Sequence, residues 1–577
     1  MTRPDTKSLG IVCCLLLTLS SCGPVETPAE PAALFVDVSV DVGLDFTHDN
    51  GMSGEKYIAE MMGPGGAFLD FDNDGDLDIY LPQGRPLNPG TSSGSSGTDR
   101  LFRNDLVVSP DGSRSFGFTD VSVEAGLTPP TGYTFGVATG DYDGDGWIDL
   151  YLTQLGTNQL LRNNGDGTFS DRTEAAGVAD LRMSMPAAFF DFDGDRRLDL
   201  YVGNYLDFRV ATHKRCFSPS GRSDYCGPLA YNPLPDRLFR NTGDGTFEDV
   251  TRRAGLAESR GNALGVVITD FDLDGRHGLF VANDTGENFL WRNLGDGRFQ
   301  EQALIAGCAL NGNGEPEGSM GVEVADLDGD GDEDIFLTHM SQETNTLYLN
   351  GGTGLFDDGT IASGLGTPSW EFTGFGMISL DYDNDGQLDI AVANGEIKTI
   401  DAHLARGDPF PLHQTNQLFR NLGEGRFEEV TAIGGEVFLR SEVTRGLAVG
   451  DVDNDGDADI LWINNHGPTR LLLNQVGSAA HWLGVRAVEG DPARDALGAR
   501  VGIQRSDGSW VWHRVRVAGS YLSSSDPRVL FGLGDQTVPS RIRVQWTGGQ
   551  TEEWPVDEYD RYVVVRRGEG TVVTASR

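Results

Sequence analysis

Asp70-Phe71-Asp72-Asn73-Asp74-Gly75-Asp76-Leu77-Asp78 reads D-x-D-x-D-G-x-x-D and runs straight into the apolar Ile79-Tyr80-Leu81. Carboxylates two apart, a glycine at the sixth place and a carboxylate at the ninth make a tight oxygen cage. Hard cations, calcium above all, favour such a cage. The helix–loop–helix calcium motif opens the same way but needs a glutamate at its twelfth place. Here the twelfth place is Leu81, already inside a strand-like run. The expectation is a compact loop between two β-strands.

The pattern returns as Asp141, Asp143, Asp145 and Asp149, and again as Asp191, Asp193, Asp195 and Asp199. Later copies are Asp326, Asp328, Asp330 and Asp334; Asp381, Asp383, Asp385 and Asp389; and Asp451, Asp453, Asp455 and Asp459. A further copy, Asp270, Asp272 and Asp274, has Gly278 at its ninth place. In the third copy Arg196 stands where the glycine is expected. One such run could be a solvated turn; seven in register, each followed by apolar residues, point to metal ligation. Two carboxylates about 4 Å apart repel by about 4 kcal/mol at an effective dielectric near 20, so each cage calls for a counter-ion.

A second motif alternates with the first. Leu101-Phe102-Arg103-Asn104 is one instance; Leu160 to Asn163, Leu238 to Asn241, Leu290 to Asn293, Leu347 to Asn350, Leu418 to Asn421 and Leu471 to Asn474 are the others. Apolar pairs running into Asn-x-Gly-Asp-Gly are a strand entering a hairpin turn. A Phe-x-Asp strand follows, so one repeat holds about four strands. Four-stranded units at a recurring period point to a β-propeller, whose closure hides strand edges. Seven acidic loops imply seven blades, with the strand from Phe35 completing the last.

The acidic loops are spaced 71, 50, 79, 56, 55 and 70 residues apart. The excess falls into three inserts, roughly 82–99, 204–236 and 395–417. Consecutive turns alternate faces, so the acidic loops line one face and the inserts the other, where recognition is expected. The second insert carries Phe208, Phe217, Tyr225 and Tyr231, and Cys216 and Cys226 are placed for a disulfide in an exported chain.

The chain has 577 residues and a net charge of −43. From residue 477 onward there are 13 Lys/Arg and 12 Asp/Glu, so the remainder carries −44. Such a surface repels nucleic acid and anionic lipid and attracts cations. Residues 1–21 read as an export leader, with Arg3 and Lys7 before an apolar run too short to span a bilayer. The run ends Leu19-Ser20-Ser21-Cys22, which resembles the bacterial lipobox and implies lipidation of Cys22. Residues 22–34 are a tether. The implied address is the cell envelope, at the outer membrane or cell surface, with the lipid as the membrane contact.

The acidic loops preceded by Phe135-Gly136-Val137 and Phe375-Gly376-Met377 resemble FG-GAP/VCBS repeats, which form the calcium-bearing propeller of integrin α-subunits. The tail motifs Asp495 to Val501, Gly519-Ser520-Tyr521-Leu522-Ser523, Phe531-Gly532-Leu533-Gly534 and Val544 to Gly549 resemble the ASPIC/UnbV domain. That pairing is similar to the cartilage acidic protein family and its bacterial relatives. The resemblance implies an all-β chain: a seven-bladed, integrin-α-like propeller over 35–476 and a small C-terminal β domain over 477–577. It also implies about six or seven bound Ca2+. The first, third, fifth and ninth aspartates would ligate through side chains, with a weak or empty fourth site.

Alternation in Trp510 to Val517 and in Arg541 to Trp546 makes the tail a β domain whose outward arginines suit docking onto the acidic propeller or, alternatively, a basic face for an acidic ligand. The nine histidines are scattered, and the one G-x-S-x-G match, Gly90 to Gly94, falls in the Gly/Ser-rich first insert. One polar patch, His48, Asp49, Asn50, Gly51, Glu55, Tyr57 and Glu60, is either a cap on the ring closure or part of a pocket. The expected function is a lipid-anchored, calcium-binding surface module for an extracellular protein or glycan, not nucleic acid. The other reading is an extracellular enzyme acting on a polysaccharide or secreted metabolite.

Overall fold

The structure, a computed structural model, describes residues 33–88, 97–127, 132–535 and 539–573. The leader, Cys22, most of the tether and part of the first insert lie outside them. Residues 33–577 form one compact unit.

Six four-stranded antiparallel sheets recur among the described residues, and a seventh set of four such strands, the first in the chain, is extended by two short strands of the tail. The second is typical: Tyr133–Gly140, Asp149–Leu155, Gln159–Asn163 and Phe169–Asp171, paired in chain order. Gly140 pairs with Asp149, so the acidic loop is the hairpin joining the first two strands. Every residue of Tyr133–Gly140 is buried, which is why the inner strands read as continuous apolar runs rather than alternating ones. The register slips between Thr134 and Gly136, between Ala263 and Gly265, and between Gly374 and Met377. Phe135-Gly136, Leu264-Gly265 and Phe375-Gly376 therefore mark β-bulges that bend the inner strands.

The inner strands touch one another in a closed cycle: Ala67–Leu69, Tyr133–Gly140, Ser184–Phe190, Ala263–Thr269, Val322–Ala325, Gly374–Leu380, Thr444–Gly450, and back to Ala67–Leu69. Closure is a propeller ring. Phe35–Asp37 supplies the outer strand of the seventh sheet, with Phe35 opposite Asn474. The chain thus enters and leaves the ring in one sheet, as the first strand's sequence implied.

The tail folds into two sheets around Leu483, Val485, Val501, Phe531, Val544 and Trp546. It also sends residues 518–524 into the ring's axis. Ser523–Ser524 adds to the first sheet beside Ala67. Ser520 exchanges two backbone bonds with Val322, at 2.7 and 3.1 Å, and Val137 N donates to Leu522 O. Ser520 Oγ accepts from Met377 N. With its contacts to the third, fourth and seventh sheets, this segment touches the inner strand of every sheet. A Cβ on Gly65 would lie 1.8 Å from Leu522 O, so glycine is required where the segment passes.

A short helix, Ile58–Met62, plugs the axis from the opposite end, all five residues buried. Tyr521 OH donates to Met62 O across 459 residues of sequence. Between the two plugs the fully buried Arg445 donates to the carbonyls of Met61, Gly395, Thr444 and Glu396, with its guanidinium 3.8 Å from the Phe375 ring centre. Carbonyl oxygens, not a carboxylate, satisfy this buried charge.

The inserts close over the helix. Tyr57 packs edge-on against Phe208 and His213, and Tyr225 OH donates to Glu60. Arg222 bonds Asp401 and Thr399 bonds Asp224, tying the second insert to the third. Cys216 and Cys226 are disulfide-bonded, and Cys308 is a free, buried thiol. Of the second insert's aromatics, Phe208, Tyr225 and Tyr231 are buried under this canopy; Phe217 alone stays exposed.

Candidate metal centres

Each acidic loop is a strand-ending turn held by its own carboxylates. In the second loop Asp141 accepts from the backbone N–H of Gly144, Asp145 and Gly146, and Asp145 accepts from Trp147 N. The same fifth-to-seventh bond occurs at Asp74, Asp195, Asp274, Asp330, Asp385 and Asp455. Such side-chain-to-backbone turns explain why aspartate recurs at these places.

The turns bring oxygens together. Asp70, Asp72 and Asp74 place one oxygen each within 4.8 Å of one another. So do Asp141, Asp143 and Asp149; Asp191, Asp193 and Asp199; Asp270, Asp272 and Asp274; Asp326, Asp328 and Asp334; and two further groups among the described residues. Asp70 Oδ1, Asp72 Oδ1 and Asp383 Oδ1 are buried with no partner. All-oxygen anionic donors at this spacing fit a hard divalent cation. The fourth loop still assembles three carboxylates without a ninth aspartate.

The ninth aspartate has a second task. Its oxygens accept two backbone N–H bonds, one from the second place of its own loop and one from the asparagine ending the third strand. Asp78 takes Phe71 N and Asn104 N at 2.9 and 2.8 Å. Asp149, Asp199, Asp334, Asp389 and Asp459 repeat the pair. Burial drives these carboxyls upward, to about 8 at Asp199 and Asp334 and well above the usual range at the other four. Nearby loop carboxylates push the same way. A bound cation would offset both effects.

The asparagine ending each third strand, part of the repeated motif, has a role that its hairpin reading missed. Asn163 Nδ2 donates to the carbonyl of Phe71, the second residue of the preceding loop. Asn241, Asn293, Asn350, Asn421 and Asn474 do the same to Tyr142, Phe192, Phe271, Leu327 and Tyr382, and Asn104 completes the circle on Val452. These seven bonds, 2.7–3.0 Å long, link every loop to the next sheet. The signal was present: an invariant Asn in an otherwise variable strand end.

In four sheets the arginine before it reaches the loop of its own sheet, whereas Arg103 of the first pairs with Asp105. Arg162 pairs with Asp143 and Asp145, Arg240 with Asp193 and Asp195, Arg292 with Asp272 and Asp274, and Arg420 with Asp383 and Asp385. The fifth and seventh loops have Leu349 and Leu473 there instead.

The sixth residue of each loop is left-handed: φ is +95° at Gly75, +86° at Gly146 and +98° at Gly331. Arg196 is forced to +67°. A side chain there costs about 1–2 kcal/mol, partly offset by glycine's greater freedom when unfolded. Arg196→Gly is expected to raise stability in urea titration by up to about 1 kcal/mol. A loss would mean that the guanidinium contributes more than the backbone strain costs.

The tail covers this face. Arg494, Arg500 and Arg505 donate to the sixth-place carbonyls of the third, fifth and sixth loops, at Arg196, Gly331 and Gly386. Arg528 donates to Asp451 O and Asn454 Oδ1, and Arg486 lies 3.8 Å from Asp70. Arg514 and Arg516 dock on Glu333. Arg541 and Arg543, also expected to face outward to the propeller, instead pair with Glu553 on the adjacent tail strand.

The polar patch before the first sheet is a cap. His48 and Glu60 are at most 1% exposed. His48's ring nitrogens lie 3.2 Å from the backbone N of Gly84 and His466, and burial pushes its imidazole down to about 3. Glu60 is raised by burial, against bonds from Ser53 and Tyr225.

Comparisons with known proteins agree with this layout. Residues 141–202, 270–337, 326–392 and 403–462 match the FG-GAP-like repeat family, and residues 490–572 match the family described as ASPIC and UnbV. Cartilage acidic protein 1 of Homo sapiens is 27% identical over 523 residues, spanning 84% of this chain and 69% of that protein. The Mus musculus protein is 28% identical over 528 residues, spanning 84% and 70%. Among solved structures, YCF48 bound to D1 peptide has a TM-score of 0.39 at 7% identity, covering 78% of this chain and 100% of that one. BBS1N in complex with ARL6DN gives 0.37 at 10%, covering 77% and 98%. The chain is therefore an FG-GAP-repeat propeller protein with a C-terminal ASPIC/UnbV domain, the domain layout of cartilage acidic protein 1.

Proposed function

We propose that the protein is an exported, lipid-anchored, calcium-binding propeller that acts as a surface binding or adhesion module. The observation that carries this reading is the convergence of carboxylate oxygens within 4.8 Å in loop after loop. Bound calcium would neutralise these cages and fix the turns that join neighbouring sheets. Asp70, Asp72, Asp74 and Asp78 would hold one ion, and the matching aspartates of the other loops the rest. Lipidation of Cys22 would supply the membrane contact, at the outer membrane or cell surface. With the tail seated on the loops, the insert face is the surface assigned to an extracellular protein or glycan.

The test is bound metal per chain, by elemental analysis of residues 31–577 dialysed against calcium at about 1 mM, the affinity range of extracellular modules. The expected stoichiometry is about six, because the fourth loop lacks one aspartate. One ion or none would sink the reading. Cys22→Ala in the full chain is expected to move the protein from the membrane fraction to the soluble one.

A further inference from the structure

His403, Asp408 and His413 stand five apart in the third insert, reading H-x4-D-x4-H. The insert doubles back on itself. Ile400 N donates to Pro411 O and Glu396 N to Leu412 O, both at 2.8 Å. The short helix Asp401–Ala405 starts the outward run, and Gln414–Thr415 anchors the return by pairing with Ser441–Glu442. Asp408 N closes the turn between them by donating to His403 O at 3.2 Å. Backbone bonds thus gather three residues of metal-ligating type into one turn.

Their side chains approach without bonding one another. His413 Nε2 lies 3.9 Å from Asp408 Oδ2, too far for a hydrogen bond. The rings of His403 and His413 are 6.2 Å apart, centre to centre, and inclined at 77°. Asp408 Oδ1 accepts from Phe410 N at 2.9 Å, which fixes the carboxylate and leaves Oδ2 on the His413 side. No ring nitrogen of His403 or His413 makes a hydrogen bond among the described residues. The rings of His48, His213, His277, His339 and His481 all have such a partner.

The separations are those of a ligand shell relaxed by about 1 Å. Around a tetrahedral zinc with Zn–N of about 2.0–2.1 Å, two imidazole centres stand about 5 Å apart, and a nitrogen and a carboxylate oxygen about 3.3 Å. Side-chain rotation can close that gap. The side chains of His413 and Asp408 are 36% and 20% exposed, so an ion can enter and water can complete its shell. Two imidazoles and one carboxylate suit zinc and its late first-row neighbours, whereas calcium takes oxygen ligands.

We infer that His403, Asp408 and His413 bind one zinc-class divalent cation, at a site separate in place and in donor chemistry from the acidic loops. The ion would clamp the outgoing helix of the third insert to its return. Asp401, in that helix, accepts from Arg222 of the second insert, so the clamp would also steady the joint between the two inserts.

The experiment is calorimetric titration of residues 31–577 with Zn2+ in about 1 mM calcium, which keeps the acidic loops supplied with their own ion. Co2+ absorption on the same protein reads the donors, because a tetrahedral nitrogen-bearing site gives intense visible bands and an all-oxygen site of higher coordination does not. One Zn2+ per chain is expected, with a Kd of about 1 μM, weaker than four-ligand structural sites. His403→Ala and His413→Ala are each expected to weaken binding by at least about tenfold and to remove the intense Co2+ bands. Asp408→Asn keeps the Oδ1 acceptor for Phe410 N and is expected to weaken binding as much; it decides the matter if a histidine variant lowers the melting temperature. His481→Ala, on the tail beside Asp560, is expected to change nothing. No Zn2+ binding below about 100 μM would overturn the inference. So would binding that all three substitutions leave intact, or a Co2+ spectrum of oxygen donors alone. Calcium is counted on the same samples, so loss of the zinc site leaves the calcium reading standing, and the reverse holds.

Discussion

Chelating calcium from residues 31–577 is expected to lower stability by about 8 kcal/mol. A site held at about 100 times its dissociation constant adds about 2.7 kcal/mol, and the figure takes half of that at each of about six sites. Ordinary domains have about 5–15 kcal/mol in total, so the chelated chain should be largely unfolded at ambient temperature or melt far below the loaded one. The structure says why the loss would spread. Each loop's second residue accepts the asparagine of the next sheet, and each ninth aspartate is tied to the asparagine of its own. A loop that loses its ion must protonate or spread its carboxylates, and either change disturbs two sheets. Calorimetry with and without chelator reads this directly. A shift of only about 2 °C would mean that the backbone bonds of the loops suffice.

Glu333→Gln is expected to destabilise the chain by about 3–5 kcal/mol, the usual result of leaving a buried charge without its partner. Glu333 accepts from Arg514 Nη2 at 2.7 Å, and both residues are buried where tail meets propeller. Arg516 and the Thr269 hydroxyl complete its shell. Burial opposes its charge, but the two guanidiniums outweigh burial and hold its carboxyl down at about 2. The folded value is below the unfolded one near 4.5, so the contribution is full above pH 4.5. It is lost as pH falls from there through about 2. Wild type should therefore lose stability across that window, and Glu333→Gln should be flatter there while weaker at neutral pH. Replacing both partners, Glu333→Leu with Arg514→Met, should recover most of the loss. If the single variant matches wild type in urea titration, the interface is held elsewhere.

Much of the fold was legible. The acidic loops, the hairpin strands and the closing strand at Phe35 are local patterns repeated often enough to average out accident. So is Cys216–Cys226, ten residues apart in one insert. What sequence could not give were bonds between distant positions. Gly519 to Ser523 stood out as a motif, yet its place in the ring axis depends on partners such as Gly66, 457 residues away. The arginines of the tail alternate alike in Arg514, Arg516, Arg541 and Arg543. Only the packing of the two tail sheets decides that the first pair meets Glu333 and the second Glu553. For His48 and Glu60 the residue types alone left a cap and a pocket open, and their burial and backbone partners favour the cap.

The axial segment has a consequence for how the ring is sized. The asparagine bonds join any sheet to its neighbour in the same way, so they would hold a ring with one repeat more or fewer equally well. Residues 518–524 are different, because they meet the inner strand of every sheet at once. They work as a gauge. A duplicated or deleted repeat would keep its neighbour bonds but leave the bore too wide or too narrow for Tyr521 and Leu522. The tail, not the repeats, would then reject the miscounted ring.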